Sequence, residues 1–157
     1  MSYRIDGILE LERDFARVSQ ELSNIVRHAA ITGAREGVAQ AKARHRYKDQ
    51  TGKLTKTAKA VSEVSTPGGA TALMVWPMKY ASFVENGTRR HNIPFEKTVG
   101  NPFLHFVWHG VPVTFARVDH PGNKAYAFAG DAYLKAERVL WREVDLGISR
   151  SKTILSK

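Results

Sequence analysis

Near the middle of the chain lies the stretch Tyr80-Ala81-Ser82-Phe83-Val84-Glu85-Asn86-Gly87-Thr88-Arg89-Arg90. Its apolar residues recur at helical spacing, and Gly87 stands where a short helix would need a left-handed residue to end. Glu85 precedes the basic pair by four and five residues, the spacing of ion pairs on a helix surface. We therefore predict a helix of one or two turns that joins two β-hairpins, with its apolar side chains packed on the sheet and its basic end at the surface.

The longest periodic segment precedes this stretch and predicts an N-terminal helix over about residues 8–45. Between Leu11 and Ala29, apolar residues recur at alternating steps of four and three, with polar residues between them. Gly33 and Gly37 each weaken a helix interior by up to about 1 kcal/mol, but the residues that follow can carry the helix on to Arg44. The spacing of the two glycines either lets a second helix approach closely or has no such role, and both interpretations stay open.

The first hairpin is predicted between this helix and the central stretch. Residues 55–65 indicate a short helix that passes into a strand, and residues 73–76 form the second strand. A turn over residues 66–71, which contains Pro67-Gly68-Gly69, joins them. Residues 91–99 show no clean period and are expected to form a surface loop.

The second hairpin pairs residues 103–108 with residues 111–118 through the tight turn His109-Gly110. Alternation along both strands places their large apolar residues, among them Phe106, Trp108 and Phe115, at expected core positions. A turn at residues 119–123 then ends the hairpin.

A C-terminal helix is predicted from about Ala127 to Val144, and Gly147 is expected to end it. The fold class is therefore α+β: an antiparallel sheet of about four strands, made of the two hairpins, packs against the two long helices, with the short helix between the hairpins. Residues 1–147 are expected to form a single domain, and residues 148–157 a basic C-terminal tail.

Composition narrows the class of protein. The chain has 157 residues, of which 43% are hydrophobic, and a formal net charge of +9. This length suits one core, and the charge favours contact with polyanions or acidic protein surfaces. The absence of cysteine excludes disulfides and thiolate metal sites, and no stretch approaches the roughly 20 apolar residues of a membrane span. We expect a protein made in a cytoplasm, and either kept there or packaged into something assembled there.

The sequence contains no constellation typical of an enzyme or of a cofactor site. Nucleotide-binding glycine loops and a nucleophile elbow are missing, and the serines lie at amphipathic or turn positions. His105, His109 and His120 match no short metal-ligand spacing, so no metal is expected. Glu85 could act as a general base, but an ion pair with Arg89 or backbone capping is the favoured role.

The basic residues are the candidates for binding. We expect them to line a protein interface or a DNA channel: Arg44, Arg46, Lys48, Lys53, Arg89 and Arg90. Aromatic residues are not interleaved with them, apart from Tyr47, which disfavours a stacking surface for single strands. The alternative is a basic nucleic-acid-binding accessory protein, for which charge is the one positive feature.

Three motifs resemble those of the tail-completion, or head-tail joining, proteins of long-tailed bacteriophages of the siphovirus type. They are Thr51-Gly52-Lys53-Leu54, the central run from Tyr80 to Arg89, and residues 115–122 with their His-Pro-Gly turn. The residues that carry the last two are Tyr80, Ala81, Val84, Glu85, Gly87, Thr88, His120, Pro121 and Gly122. Residues 126–128 depart from the Pro-Phe pair that often begins the family's last helix.

The resemblance implies a non-enzymatic structural protein of the virion neck, made in the host cytoplasm. It implies assembly of the chain with itself as a ring, expected to be a hexamer, between two sets of partners. One is the tail terminator or tail tube protein, and the other is the head-side connector or stopper protein. Contact with the passing genomic DNA is left open, and neither a cofactor nor a membrane is implied.

Overall fold

The computed structural model describes residues 8–49, 51–63, 69–94 and 103–155. Its helices are α1 (Ile8–Arg44), α2 (Lys53–Thr57), α3 (Ala81–Asn86) and α4 (Phe128–Leu155). Its strands are β1 (Lys59–Glu63), β2 (Thr71–Val75), β3 (His91–Pro94), β4 (Leu104–Trp108), β5 (Val111–Phe115) and β6 (Arg117–His120). This is the α+β class that the sequence predicts. The chain divides into two compact units, residues 1–78 with 128–157 and residues 79–127; a single domain over residues 1–147 stays a prediction.

In the first unit, α1 packs antiparallel on α4, and glycines make the close approach possible. A Cβ atom at Gly33 would lie 2.6 Å from the backbone oxygen of Ala136, and one at Gly37 would lie 2.6 Å from the backbone oxygen of Ala132. Any side chain there would push the two helices apart, because a backbone carbonyl cannot move aside as a flexible side chain can. Close helix approach is thus the correct reading of the Gly33–Gly37 spacing.

The core of this unit is built mostly from small side chains. The hairpin of β1 and β2, which pairs Lys59 with Val75 and Glu63 with Thr71, contacts α1. Phe128 contacts Tyr47 and Trp76 edge to face, with ring centroids 5.1 and 5.3 Å away. The buried apolar residues are Ala29, Ala30, Ala34, Val38, Ala41, Tyr47, Leu54, Ala58, Phe128, Ala132 and Val139.

The second unit contains α3 and two antiparallel ladders. Strand β3 pairs with β6, with His91 opposite His120, and β4 pairs with β5, with Leu104 opposite Phe115. The hairpin turn has positive φ at both central residues, 49° at His109 and 83° at Gly110, as in the type I′ turn that suits the twist of the flanking strands.

Pairing of the strands differs from the prediction. The described strands form three two-stranded ladders instead of one sheet of about four strands. The expected surface loop at residues 91–99 is wrong over His91–Pro94, which is strand β3. Likewise, Asp119 and His120 belong to strand β6 and not to a turn. Residues 95–99 lie outside the described residues, as do residues 66–68 of the predicted turn at residues 66–71.

The C-terminal helix is longer than predicted. Helix α4 continues through Gly147 to Leu155, so an end at Gly147 and a separate tail over residues 148–155 are wrong. A Cβ atom at position 147 would lie 2.5 Å from Cγ2 of Ile25 on α1. This glycine therefore provides room for the neighbouring helix and does not end its own.

Candidate functional site

The central motif forms a corner that holds the segment before α4. Helix α3 ends at Gly87, whose φ is 72°, and a Cβ atom there would lie 2.6 Å from the backbone oxygen of Asn123. The carbonyl of Val84 accepts a hydrogen bond from the Tyr126 amide, and that of Glu85 accepts one from the Ala127 amide, both at 3.1 Å. Carbonyls left free at the end of α3 are thus satisfied by a distant segment, and no residue with a side chain can replace the glycine without strain.

The second and third motifs meet in space within this unit. The Thr88 hydroxyl accepts a hydrogen bond from the Asn123 amide at 2.9 Å, and the two residues form an isolated β-bridge. The amide of Gly122 donates to Nδ1 of His120 at 3.1 Å, which shapes the His-Pro-Gly turn. The hydrogen bonds of Thr88 thus join the central motif to the residue that follows the His-Pro-Gly turn.

Beside this corner lies an open groove of about 770 Å³. Its lining includes Tyr80, Phe83, Arg89, His91 and His120. Phe83 is 57% exposed, so the prediction that the apolar residues of α3 pack on a sheet is wrong for this side chain. The groove combines aromatic, basic and imidazole groups, which are suited to binding another protein surface.

Arg90 is paired within the chain. Its guanidinium makes a bidentate ion pair with Asp119, with Nε 3.0 and 3.2 Å from the two carboxylate oxygens. Hydrogen bonding from Arg90 lowers the pKa of Asp119, and the charges of Arg90, Arg117 and His91 lower it further. The stabilisation from this pair is therefore complete above the ordinary carboxyl pKa of about 3.9 and is lost as pH falls through the lowered value. Arg90, one of the six basic residues predicted to line an interface or a channel, is therefore paired with an acid of its own chain.

The other predicted basic residues are exposed. Arg89 lies in the second unit, whereas Arg44, Arg46, Lys48 and Lys53 lie in the segment from the end of α1 to the start of α2. The six candidates therefore fall into two groups, one in each unit.

Buried contacts anchor the basic segment of the first unit. Tyr47 is 6% exposed, stacks on His45 at 4.4 Å between ring centroids and contacts Thr55 Oγ1 through its hydroxyl at 3.3 Å. The Asp49 carboxylate accepts a hydrogen bond from the Thr55 amide at 2.8 Å, and the hydrogen bonds from Thr55 lower the pKa of Asp49. The ring of Tyr47 thus belongs to the core and is not exposed for stacking by nucleic-acid bases.

The hairpin of β4 and β5 has one wholly apolar face. Because residues opposite each other in an antiparallel pair share a face, the register gathers six side chains, which we call the hairpin apolar face: Leu104, Phe106, Trp108, Val111, Val113 and Phe115. Trp108 is 60% exposed and Val111 59%. The expectation that Trp108 and Phe115 are core residues is therefore wrong.

Helix α1 has a second exposed apolar surface in its N-terminal half. Leu11, Phe15, Leu22 and Val26 share a side of the helix and are all exposed, Phe15 to 68%. We call these four residues the helix apolar face. The sequence distinguishes these four residues by their size. They are large, whereas the buried face of the same helix consists mainly of alanine and glycine.

The described residues contain neither a metal-ligand cluster nor a membrane-spanning helix. Among residues 8–49, 51–63, 69–94 and 103–155, no three histidine, aspartate or glutamate side chains are grouped as metal ligands. Nδ1 of His105 is hydrogen-bonded to Oγ1 of Thr114, with 3.0 Å between the two atoms. Within the same ranges, no helix combines the length and the apolar character needed to cross a membrane.

Large exposed apolar faces on a folded chain are characteristic of a subunit that packs against other proteins. Residues 10–87, about half of the chain, match the family model described as "Bacteriophage HK97-gp10, putative tail-component". The chain belongs to this HK97-gp10-like family, and it is a phage tail component, a structural protein of the virion. The matched range contains the Thr51–Leu54 motif and the central motif as far as Gly87, but not residues 115–122. Searches of curated proteins and of solved structures found no match.

Proposed function

We propose that this tail component is a tail-completion, or head-tail joining, protein. It assembles with itself as a ring, a hexamer, in the virion neck and links the tail tube or terminator protein to the head-side connector or stopper protein. It acts without catalysis and without a cofactor.

The observation that carries this proposal is the pair of exposed apolar faces, one in each unit. A monomer that stayed free would keep Phe15 and Trp108 in water, at a cost of about 25 cal/mol for each Å² of apolar surface. Two distinct faces are the minimum for a ring subunit, because each copy must contact a neighbour on either side through different surfaces. The faces therefore favour repeated association over a single binding event.

The exposed basic residues serve the axial contacts in this proposal. Arg44, Arg46, Lys48 and Lys53 meet an acidic surface of a neighbouring neck protein or the phosphates of the passing DNA, and Arg89 acts in the same way from the second unit. Arg90 has a different role, because its ion pair with Asp119 holds β3 against β6. The groove at Tyr80, Phe83 and Arg89 is a further docking surface for a neck partner.

Deletion of the gene from the phage that encodes the chain tests the proposal. We expect filled heads and separate tails to accumulate, and a plasmid copy of the gene to restore joined particles, counted by electron microscopy. Formation of joined, infectious particles without the gene would contradict it.

Charge reversal tests the role of the basic residues. We expect Arg44→Glu combined with Arg89→Glu to reduce the yield of infectious particles at least tenfold, because both act at contacts with partners. Arg150→Glu on α4 is the matched control, since it reverses an exposed charge in a helix outside both groups. Unchanged yield with the double variant would contradict the role.

The nucleic-acid-binding alternative makes a different prediction. A free accessory protein would bind duplex DNA as a monomer, with an affinity that falls steeply as salt increases. Filter binding over a salt series together with light scattering separates the two: tight binding by a monomer that no phage particle contains would support the alternative.

A further inference from the structure

We propose that the hairpin apolar face of one copy packs on the helix apolar face of the next copy around the ring. This inference rests on the proposed self-assembly and goes further, since it names the two surfaces that meet. The contact joins β4 and β5 of one subunit to the N-terminal part of α1 of its neighbour.

The hairpin apolar face needs a partner because a two-stranded ribbon cannot cover its own side chains. The six side chains on this face are all apolar, and the ring of Phe106 lies 6.4 Å from that of Trp108 and 5.9 Å from that of Phe115. Phe106 is half-buried, whereas Trp108 and Phe115 are 60% and 47% exposed. Clustered aromatic residues at a surface are typical anchors of protein interfaces. Trp108, next to the turn at His109-Gly110, is therefore the expected centre of the contact.

The helix apolar face needs a partner because α4 does not reach along the whole of α1. Ile25 meets Gly147, and Glu21 Oε1 accepts a hydrogen bond from Ser151 Oγ at 2.7 Å. In this antiparallel register the last described residue of α4, four positions after Ser151, reaches only to about position 17 of α1. Leu11 and Phe15 lie beyond that point.

Symmetry favours contact between the two faces over contact of each face with itself. If α1 paired with α1 of a second copy about a twofold axis, a closed dimer would result and the hairpin apolar face would stay exposed. A head-to-tail contact between the helix face and the hairpin face covers both surfaces in every subunit, and it closes when the ring closes. A single kind of contact thus explains both exposed faces.

Charge points to the same pairing. The helix apolar face is flanked by the exposed acids Glu12 and Asp14 and by the half-buried Glu21. The hairpin segment from Phe103 to Phe115 contains no acidic residue, and Arg117 follows it. The same hairpin segment contains no lysine or arginine either. Contact between the two faces therefore brings no like charge against the acids of α1, whereas pairing two copies of the helix face would bring these acids together.

Cysteine cross-linking tests the contact with full-length protein, because the natural chain contains no cysteine. Phe15→Cys in one preparation and Val111→Cys in a second, differently tagged preparation are mixed at high concentration and oxidised. We expect a mixed disulfide dimer at least tenfold more abundant than in the control pair Arg13→Cys with Thr114→Cys, which lie on the opposite sides of the same helix and hairpin. Cross-linking of Phe15→Cys mainly to itself, or no excess over the control pair, would overturn the proposal.

Complementation gives a second, independent test. A helix variant, Phe15→Asp with Leu22→Asp, and a hairpin variant, Trp108→Asp with Val111→Asp, should each fail to associate while keeping the circular dichroism spectrum of the wild type. Mixed together, they should form dimers and nothing larger, because one intact contact remains between them. Association of either variant with itself at the wild-type level would overturn the proposal.

These outcomes separate this contact from the proposed function. If the wild-type gene restores joined particles but neither the cross-link nor the mixed dimer forms, the named contact is wrong and the neck role stands. If joined particles form without the gene, the neck role itself fails, whatever the cross-links show.

Discussion

The two halves of α1 differ in their apolar side chains: one half buries small ones and the other exposes large ones. From residue 29 to residue 41 the buried positions are alanine, glycine and one valine, Val38. From residue 11 to residue 26 the apolar side chains are larger, and Phe15 and Leu22 are 68% and 45% exposed. Hydrophobicity alone therefore does not show which half lies inside this subunit.

Size distinguishes the two halves because helices that approach closely have room only for small side chains. Near Gly33 and Gly37, backbone atoms of α4 occupy the place of a side chain. Leucine and phenylalanine in the other half are too large for such a seam, and they suit a partner that arrives during assembly. The same helix thus has an intramolecular end and an intermolecular end.

The largest expected effect on stability comes from placing a large side chain in the small-residue half. Gly37→Leu should lower the free energy of unfolding by about 3 kcal/mol, because a Cβ atom there would lie 2.6 Å from a backbone oxygen of α4. Urea denaturation measures the loss. Ala43→Leu, at an exposed position of the same helix, should change stability by less than about 0.5 kcal/mol, and an equal loss for both variants would refute the packing account.

A smaller effect comes from one substitution made in both halves. Val38→Ala removes two methyl groups from a side chain that is 5% exposed, which should cost about 2 kcal/mol. Val26→Ala makes the same change at an exposed position and should cost less than about 0.5 kcal/mol. Thermal and urea unfolding measure the loss of stability in each variant. Equal losses in the two variants would contradict the difference between the two halves of α1.

A still smaller loss of stability is expected at the contact that α4 makes with Glu21, inside the half of α1 with large exposed side chains. Ser151→Ala removes the hydrogen bond to Glu21 and should cost about 1 kcal/mol, an ordinary value for a hydrogen bond to a charged group that is only partly buried. Ser19→Ala, at an exposed position of α1, serves as the control. If Ser151→Ala left the unfolding midpoint unchanged, the helices would not be stabilised by contact this far along α1.

Local patterns in the sequence predicted much of this fold. Periodicity located α1 almost to the residue, and His109-Gly110 located the second hairpin, because a helix stripe and a two-residue turn depend on neighbours in the chain. The sequence also predicted that a helix ends at Gly87 of the central motif. The α+β class followed from the order of these elements.

The remaining features depend on partners that are distant in sequence. Strand β3 forms only because residues 117–120 lie beside it, and Arg90 meets Asp119 across 29 positions. Gly147 looked like a helix end because the sequence does not show Ile25 beside it. Trp108 looked like a core residue because alternation predicts a shared face but not whether the same chain covers it.

The central claim is that the exposed end of α1 exists for contact between subunits. It is tested most directly by measuring stability and assembly separately in a variant of Phe15. Phe15→Asp should leave the free energy of unfolding within about 0.5 kcal/mol of the wild type, since the side chain is 68% exposed. The same variant should fail to restore joined, infectious particles to a phage that lacks the gene. Particles restored at the wild-type level, or a loss of stability as large as that of Gly37→Leu, would contradict the account.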